Sequence, residues 1–176
     1  MKDNIKDLAA IVACILTAYF VANAATVEGV LLYGMPAILF CAGASFVVHW
    51  IVAIPSLITS SEKYFDLTGM IATLLVVAVA IFAILSTGQQ ASVRSTIVAI
   101  FVSIWTLRLG TFLYIRIVKS GEDKRFREIK KSLPKFLMTW TLSALWVFLT
   151  TVNAVTIIVL NPVSYTHLTL PTIYSV

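Results

Sequence analysis

Five long apolar stretches, residues 8–25, 30–54, 67–85, 95–118 and 134–160, take up most of this chain. Each is close to or longer than the roughly 17–25 residues a helix needs to cross about 30 Å of hydrocarbon. A bilayer offers no water to bond backbone N–H and C=O groups, so a spanning segment must satisfy them internally. The stretches therefore read as five helices of an all-α polytopic transmembrane bundle. Composition agrees, with only 12% of the 176 residues charged, about half the share of a soluble domain. There is no internal repeat, and every connection except 119–133 is short.

Charge gives the orientation. Loop 119–133 holds Lys119, Lys124, Arg125, Arg127, Lys130 and Lys131, and loops rich in Lys and Arg stay in the cytoplasm. Alternating the spans puts Lys2, Lys6 and Lys63 on the same side and Arg94 on the other. The N-terminus is then cytoplasmic. The net charge of +5 reports membrane orientation, so no nucleic-acid partner is expected and membrane lipids are. The first span has a second reading. Lys2 and Lys6 precede an apolar run ending in Ala22-Asn23-Ala24, the form of a signal peptide with its cleavage site. Asp3 and Asp7 offset the basic start and further spans follow, which favours a retained helix. Cys14 and Cys41 both lie in apolar runs, so neither a disulfide framework nor a metal site is expected.

Residues 163–172 read VSYTHLTLPT, followed by IYSV. This resembles one translated frame of a sequencing-library adapter. It has no helical period and contains Pro171 just after Asn161-Pro162. We expect residues 1–162 to be the N-terminal part of one transmembrane domain and residues 163–176 to be a non-native tail.

Arg108 is the first candidate for function. It lies well inside the fourth span, where an arginine costs about 2.5–3.5 kcal/mol on insertion scales. Such a residue faces the bundle interior, a cavity or an anionic group, or it bonds backbone carbonyls and snorkels. The loop GEDKRF (residues 121–126) sets two carboxylates beside two cations and an aromatic ring. As a helix it pairs Asp123 with Arg127 and Glu122 with Arg125, and lays Phe126 and Ile129 against the membrane surface. As a site, Lys124 or Arg125 binds phosphate and Asp123 orients it.

The fifth span carries Thr139, Ser143, Trp146, Thr150 and Asn153 on one face. Such a seam suits helix packing. Its other reading is the wall of a substrate groove, with Trp146 as an apolar plate. His49 reads as an interfacial histidine with no partner that sequence can name. Asp66 is placed to cap the third helix and Gly121 to close the fourth. The chain has no dinucleotide fingerprint, P-loop, HExxH or nucleophile elbow. No catalytic residue can be named.

Three segments together carry a resemblance: FDLTG (65–69), WTLRLGTFLYIRIVKSGEDKRF (105–126) and FLMTWTLSALWVFLTTVNA (136–154). The chain resembles bacterial membrane proteins of unknown function related to steroid 5-alpha-reductases. The arginine-bearing helix before a GEDxRF loop is the specific part. The resemblance implies a bacterial inner-membrane enzyme that uses NADPH to reduce a carbon–carbon double bond in a lipid-like substrate. It puts Arg108, Asp123 and Arg125 forward for the cofactor, and Phe65, Asp66, Gly69 and Phe126 on motif positions. Trp146 and Asn153 are the substrate candidates from the groove reading. The family's main nucleotide-binding signature lies in later helices, so this chain by itself is expected to be inactive. The alternatives are an isoprenylcysteine-type methyltransferase-like membrane enzyme and a non-catalytic transporter or scaffold, with Arg108 holding an anion. Oligomeric state does not follow from the sequence.

Overall fold

The computed structural model describes residues 2–26, 30–59, 61–121, 126–130 and 132–160. The 163–176 tail, together with Glu122, Asp123, Lys124 and Arg125, lies outside them. The helices are α1 (Lys2–Ala25), α2 (Ala37–Ile58), α3 (Phe65–Ser86), α4 (Val93–Ser120), α5 (Phe126–Ile129) and α6 (Leu133–Leu160). Five of them, all but the single turn α5, are long and apolar enough to cross a membrane. The protein is an all-α polytopic membrane bundle.

The second span starts later than its hydropathy indicates. Between α1 and α2 the chain forms a small antiparallel hairpin, β1 (Leu31–Leu32) with β2 (Met35–Pro36). Tyr33 and Gly34 form its turn with φ of 50° and 80°. Two successive positive φ values match the twist of paired strands and take that segment out of the helical region. Pro36 follows, with φ −54°, and α2 begins behind it. Val30, Leu31, Leu32 and Met35 are as apolar as helix residues, so hydropathy alone ran the span through them.

α6 is the centre of the bundle. It contributes Ala144, Phe148, Val155 and Ile158 to the main core, where Cys41, Val76, Ala80 and Ile84 of α2 and α3 meet it. α1 joins through Cys14, Ala18 and Ala22, a stripe of small residues at i, i+4 and i+8 that lets helices approach closely. Ser45 on α2 donates to the Ala144 carbonyl at 2.8 Å, and Ser95 on α4 to the Ile158 carbonyl at 3.3 Å.

The helix ends differ in part from expectation. Tyr64 is the residue before α3 and no side chain caps it. Asp66 lies in the first turn of α3, where its charge still suits the helix dipole, and pairs with Arg116 of α4 at 3.6 Å. Gly121 closes α4 at φ 79°, its N–H bonded to the Ile117 carbonyl at 3.0 Å. Glu62 forms an ion pair with Lys130, tying the turn before α3 to the segment after α5. These contacts lie at the end of the bundle that carries Lys63, Lys119 and Lys130, the basic end.

Candidate functional site

Two clefts meet near the basic end. The first lies between α3, α4 and α6, holds about 190 Å³, and is lined by Phe65, Asp66, Gly69, Thr73, Trp105 and Thr150 among others. The second, about 350 Å³, lies between α6 and the Phe65–Phe126 pair, with Ile129, Thr139 and Leu142 on its walls. Phe65, Ser143 and Trp146 line both.

The wall on α6 exists because this helix has two faces. Phe136, Trp140, Ala144 and Phe148 are fully buried and pack the bundle. The seam Thr139, Ser143, Trp146 and Thr150 lies beside that face and borders the clefts. Trp146 is 68% exposed, so its ring is a surface of the cleft rather than a packed element. Asn153, one turn further, is exposed and lines neither of these clefts.

An aromatic cluster closes the basic end of the clefts. Phe126 packs edge-on against Phe65 at 4.9 Å, and Phe65 against Trp140 at 5.1 Å. Phe126 is therefore turned inward, at 3% exposure, not laid on the membrane surface as an amphipathic turn implies. Its ring finds an apolar partner in Phe65, which has the stronger pull. Trp140 is fully buried, and its indole N–H meets no acceptor among the described residues.

His49 is also buried, with 0% exposure, although its place in the sequence reads as interfacial. It lies nine residues before the end of α2, about 13 Å of helix at 1.5 Å per residue. Nδ1 is 2.8 Å from the Ser45 carbonyl and Nε2 is 3.1 Å from Ser143 Oγ. Next to it, Trp50 donates to Thr141 Oγ1 at 3.1 Å. α2 thus reaches α6 through two adjacent polar side chains, and one of them ends on the cleft wall.

Arg108 is elsewhere. The buried residues of α4 at this level are Thr106 and Gly110, and position 108 is about 200° around the helix from each at 100° per residue. Arg108 is exposed on the far side of α4, with no hydrogen-bond or ionic partner among the described residues. Gly110 explains the close approach on the near side. A Cβ there would stand 2.5 Å from Met70 Cβ, so only glycine lets α3 and α4 meet at this point. That contact and the Asp66–Arg116 pair put Arg108 level with about Thr73. This is roughly 12 Å inside the start of α3 by helix rise.

Sequence reasoning named Arg108 and the α6 seam but found no partner for His49. Its partner Ser143 is 94 positions away, and no local spacing marks the pair. No cluster of three metal-ligating side chains occurs among the described residues.

A family model for a protein of unknown function, DUF1295, matches residues 46–173, well over half of the chain. The chain belongs to the DUF1295 family. This family is noted for its resemblance to steroid 5-alpha-reductases. No curated protein and no solved structure matches the chain. All three segments that carry the resemblance fall inside the matched region, as do both clefts.

Proposed function

We propose that this DUF1295 chain forms the substrate-binding part of a membrane oxidoreductase that reduces a double bond in a lipid-like molecule. One observation carries the reading: two clefts within the bundle share a wall of Phe65, Trp146 and Ser143. Two aromatic faces and a hydroxyl suit a molecule with a broad apolar body and one polar group. Helix α4 and the aromatic cluster flank the space, so such a molecule would enter from the bilayer or from the basic end, which the positive-inside rule puts in the cytoplasm.

NADPH is the reductant that the family resemblance implies, and it would supply the hydride. The described residues form no cradle for a dinucleotide. The clefts are small, and Asp66, the carboxylate at their edge, is an anion already paired with Arg116. Chemistry at these residues is therefore confined to holding the substrate. Of the cofactor candidates, Asp123 and Arg125 are favoured over Arg108, because their neighbour Phe126 lines the second cleft. An anion held by Arg108 would be separated from the cleft by the width of α4, about 10 Å.

The test uses the protein as its gene encodes it, reconstituted in nanodiscs. We expect NADPH to bind, Arg125→Ala to weaken it at least tenfold, and Trp146→Ala to lower turnover of a lipid that carries a hydroxyl group and an activated double bond, with NADPH affinity unchanged. Absence of any nucleotide affinity would sink the reductase reading. Retained methyl transfer from S-adenosylmethionine would favour the methyltransferase alternative, and anion flux without nucleotide the transporter.

A further inference from the structure

We propose that the clefts select a molecule carrying a hydroxyl group, and that Ser143, with its own proton held by His49, is the residue that makes the selection. The inference rests on the reading of the clefts as a substrate site and names the polar group that the substrate brings there.

The hydrogen-bond directions follow from chemistry. A backbone carbonyl only accepts, so the 2.8 Å contact with Ser45 puts a proton on His49 Nδ1. The imidazole is neutral. It has no exposed surface, it lies within a membrane helix, and its two partners, a carbonyl and a hydroxyl, carry no charge to offset an imidazolium. Nε2 is therefore a bare lone pair, and the Ser143 hydroxyl donates to it across 3.1 Å. What Ser143 shows to the clefts is an acceptor.

Three threonines on the same walls do likewise. Thr73 donates to the Gly69 carbonyl at 2.9 Å, Thr139 to Lys135 at 2.9 Å and Thr150 to Trp146 at 2.9 Å. Threonine in a membrane helix bonds back to its own turn in this way. Four cleft hydroxyls thus turn their protons inward and their lone pairs outward. At Ser143 and these threonines a ketone or an ether would meet lone pairs with lone pairs; the donors on the lining are the Thr106 hydroxyl and the indoles of Trp105 and Trp146. An alcohol has the one proton that fits. The difference between Ser143 and the threonines is that its proton is held by a second helix, so the direction depends on His49.

The experiment measures binding of three compounds with one alicyclic, decalin-type body: the alcohol, its methyl ether and the ketone. The full chain is held in nanodiscs and binding is read by equilibrium dialysis against empty nanodiscs. The alcohol should bind roughly 3- to 10-fold tighter than the other two, the worth of one hydrogen bond. Ser143→Ala should remove that preference while the apolar body still binds. His49→Phe should narrow it in part, by the fraction of Ser143 that turns its proton to the cleft rather than back to its own turn. Equal saturable binding of all three by the unmodified protein overturns the hydroxyl rule and leaves the cleft as a substrate site. No saturable binding of any of them overturns both readings. The comparison among ligands needs no variant, so it survives if a substituted protein fails to fold.

Discussion

α6 and α4 are equally long, 28 residues each, and both are apolar enough to span a bilayer. Half of the most hydrophobic window of α6 is buried in the bundle, against 11% for α4. Hydropathy makes the two helices alike; packing makes them opposites. α6 meets every other long helix, while α4 touches the bundle along one narrow line through Ser95, Thr106, Gly110 and Ile117. Its remaining surface, with Phe101, Phe112 and Ile115, has no need of protein, since lipid tails are as apolar as those side chains. α4 is thus placed mainly by its small and polar residues, whereas α6 is placed by large buried side chains such as Trp140 and Phe148.

Removing bulk from the two helices should separate them most clearly. Trp140→Ala on α6 should cost about 3 kcal/mol or more. The lower part of the range for soluble cores applies, because lipid takes away the transfer contribution and leaves the cavity. Phe112→Ala on the outer face of α4 should stay within about 0.5 kcal/mol. Unfolding by a denaturing detergent, titrated against a mild one, gives both numbers. If the two variants lost equal stability, the outer face of α4 would be packed against protein.

Arg108 is the exception on that outer face. It stands at membrane depth among exposed apolar residues. Arg108→Leu in the 176-residue chain should raise stability in bicelles by up to about 2.5–3.5 kcal/mol, less whatever snorkelling already recovers. A loss of stability instead would mean that another segment or a bound anion holds the guanidinium. The sign of the change therefore decides what covers α4.

Much of this was legible beforehand, for reasons specific to each residue. The five spans follow from length and hydropathy. The seam on α6 follows from its period, although its role as cleft wall beside the packed face does not. Hydropathy gave the depth of Arg108 but not its direction. The direction was nonetheless written nearby: Thr106 and Gly110, small residues two positions to either side, mark the packed line, and Arg108 must lie opposite. The hairpin at 31–36 was concealed because strand and helix share its apolar residues, and only Tyr33-Gly34 followed by Pro36 hinted at a turn. The His49–Ser143 bond joins helices far apart in sequence, so nothing local encodes it.

The narrow line of α4 can be tested at Gly110. A leucine there has to displace Met70, whose Cβ is itself too close to a new Cβ to swing aside. Gly110→Leu should cost about 1–3 kcal/mol by overpacking. Met70→Ala should restore part of it in the double variant, giving a coupling energy for neighbours in contact. Independent effects would mean that α3 and α4 do not meet at this point.

The smallest effect expected is at the ion pair that closes the same line. Asp66 and Arg116 stand 3.6 Å apart, and their side chains are 17% and 49% exposed. Such a separation is long for a charge-assisted bond, and the arginine is half in solvent or headgroups, so the pair is worth about 0–1 kcal/mol. Asp66→Asn keeps the shape and removes the charge. It should lower stability by less than 1 kcal/mol, and by less still at high salt. Asp66 also borders the first cleft, so its effect on ligand binding is separable from its effect on stability. A large stability loss with unchanged binding would make the pair the hinge that holds α4 to α3. A binding loss with little change in stability would make the carboxylate part of the cleft wall, and α4 would then owe its position to Gly110 and the two hydroxyl residues, Ser95 and Thr106.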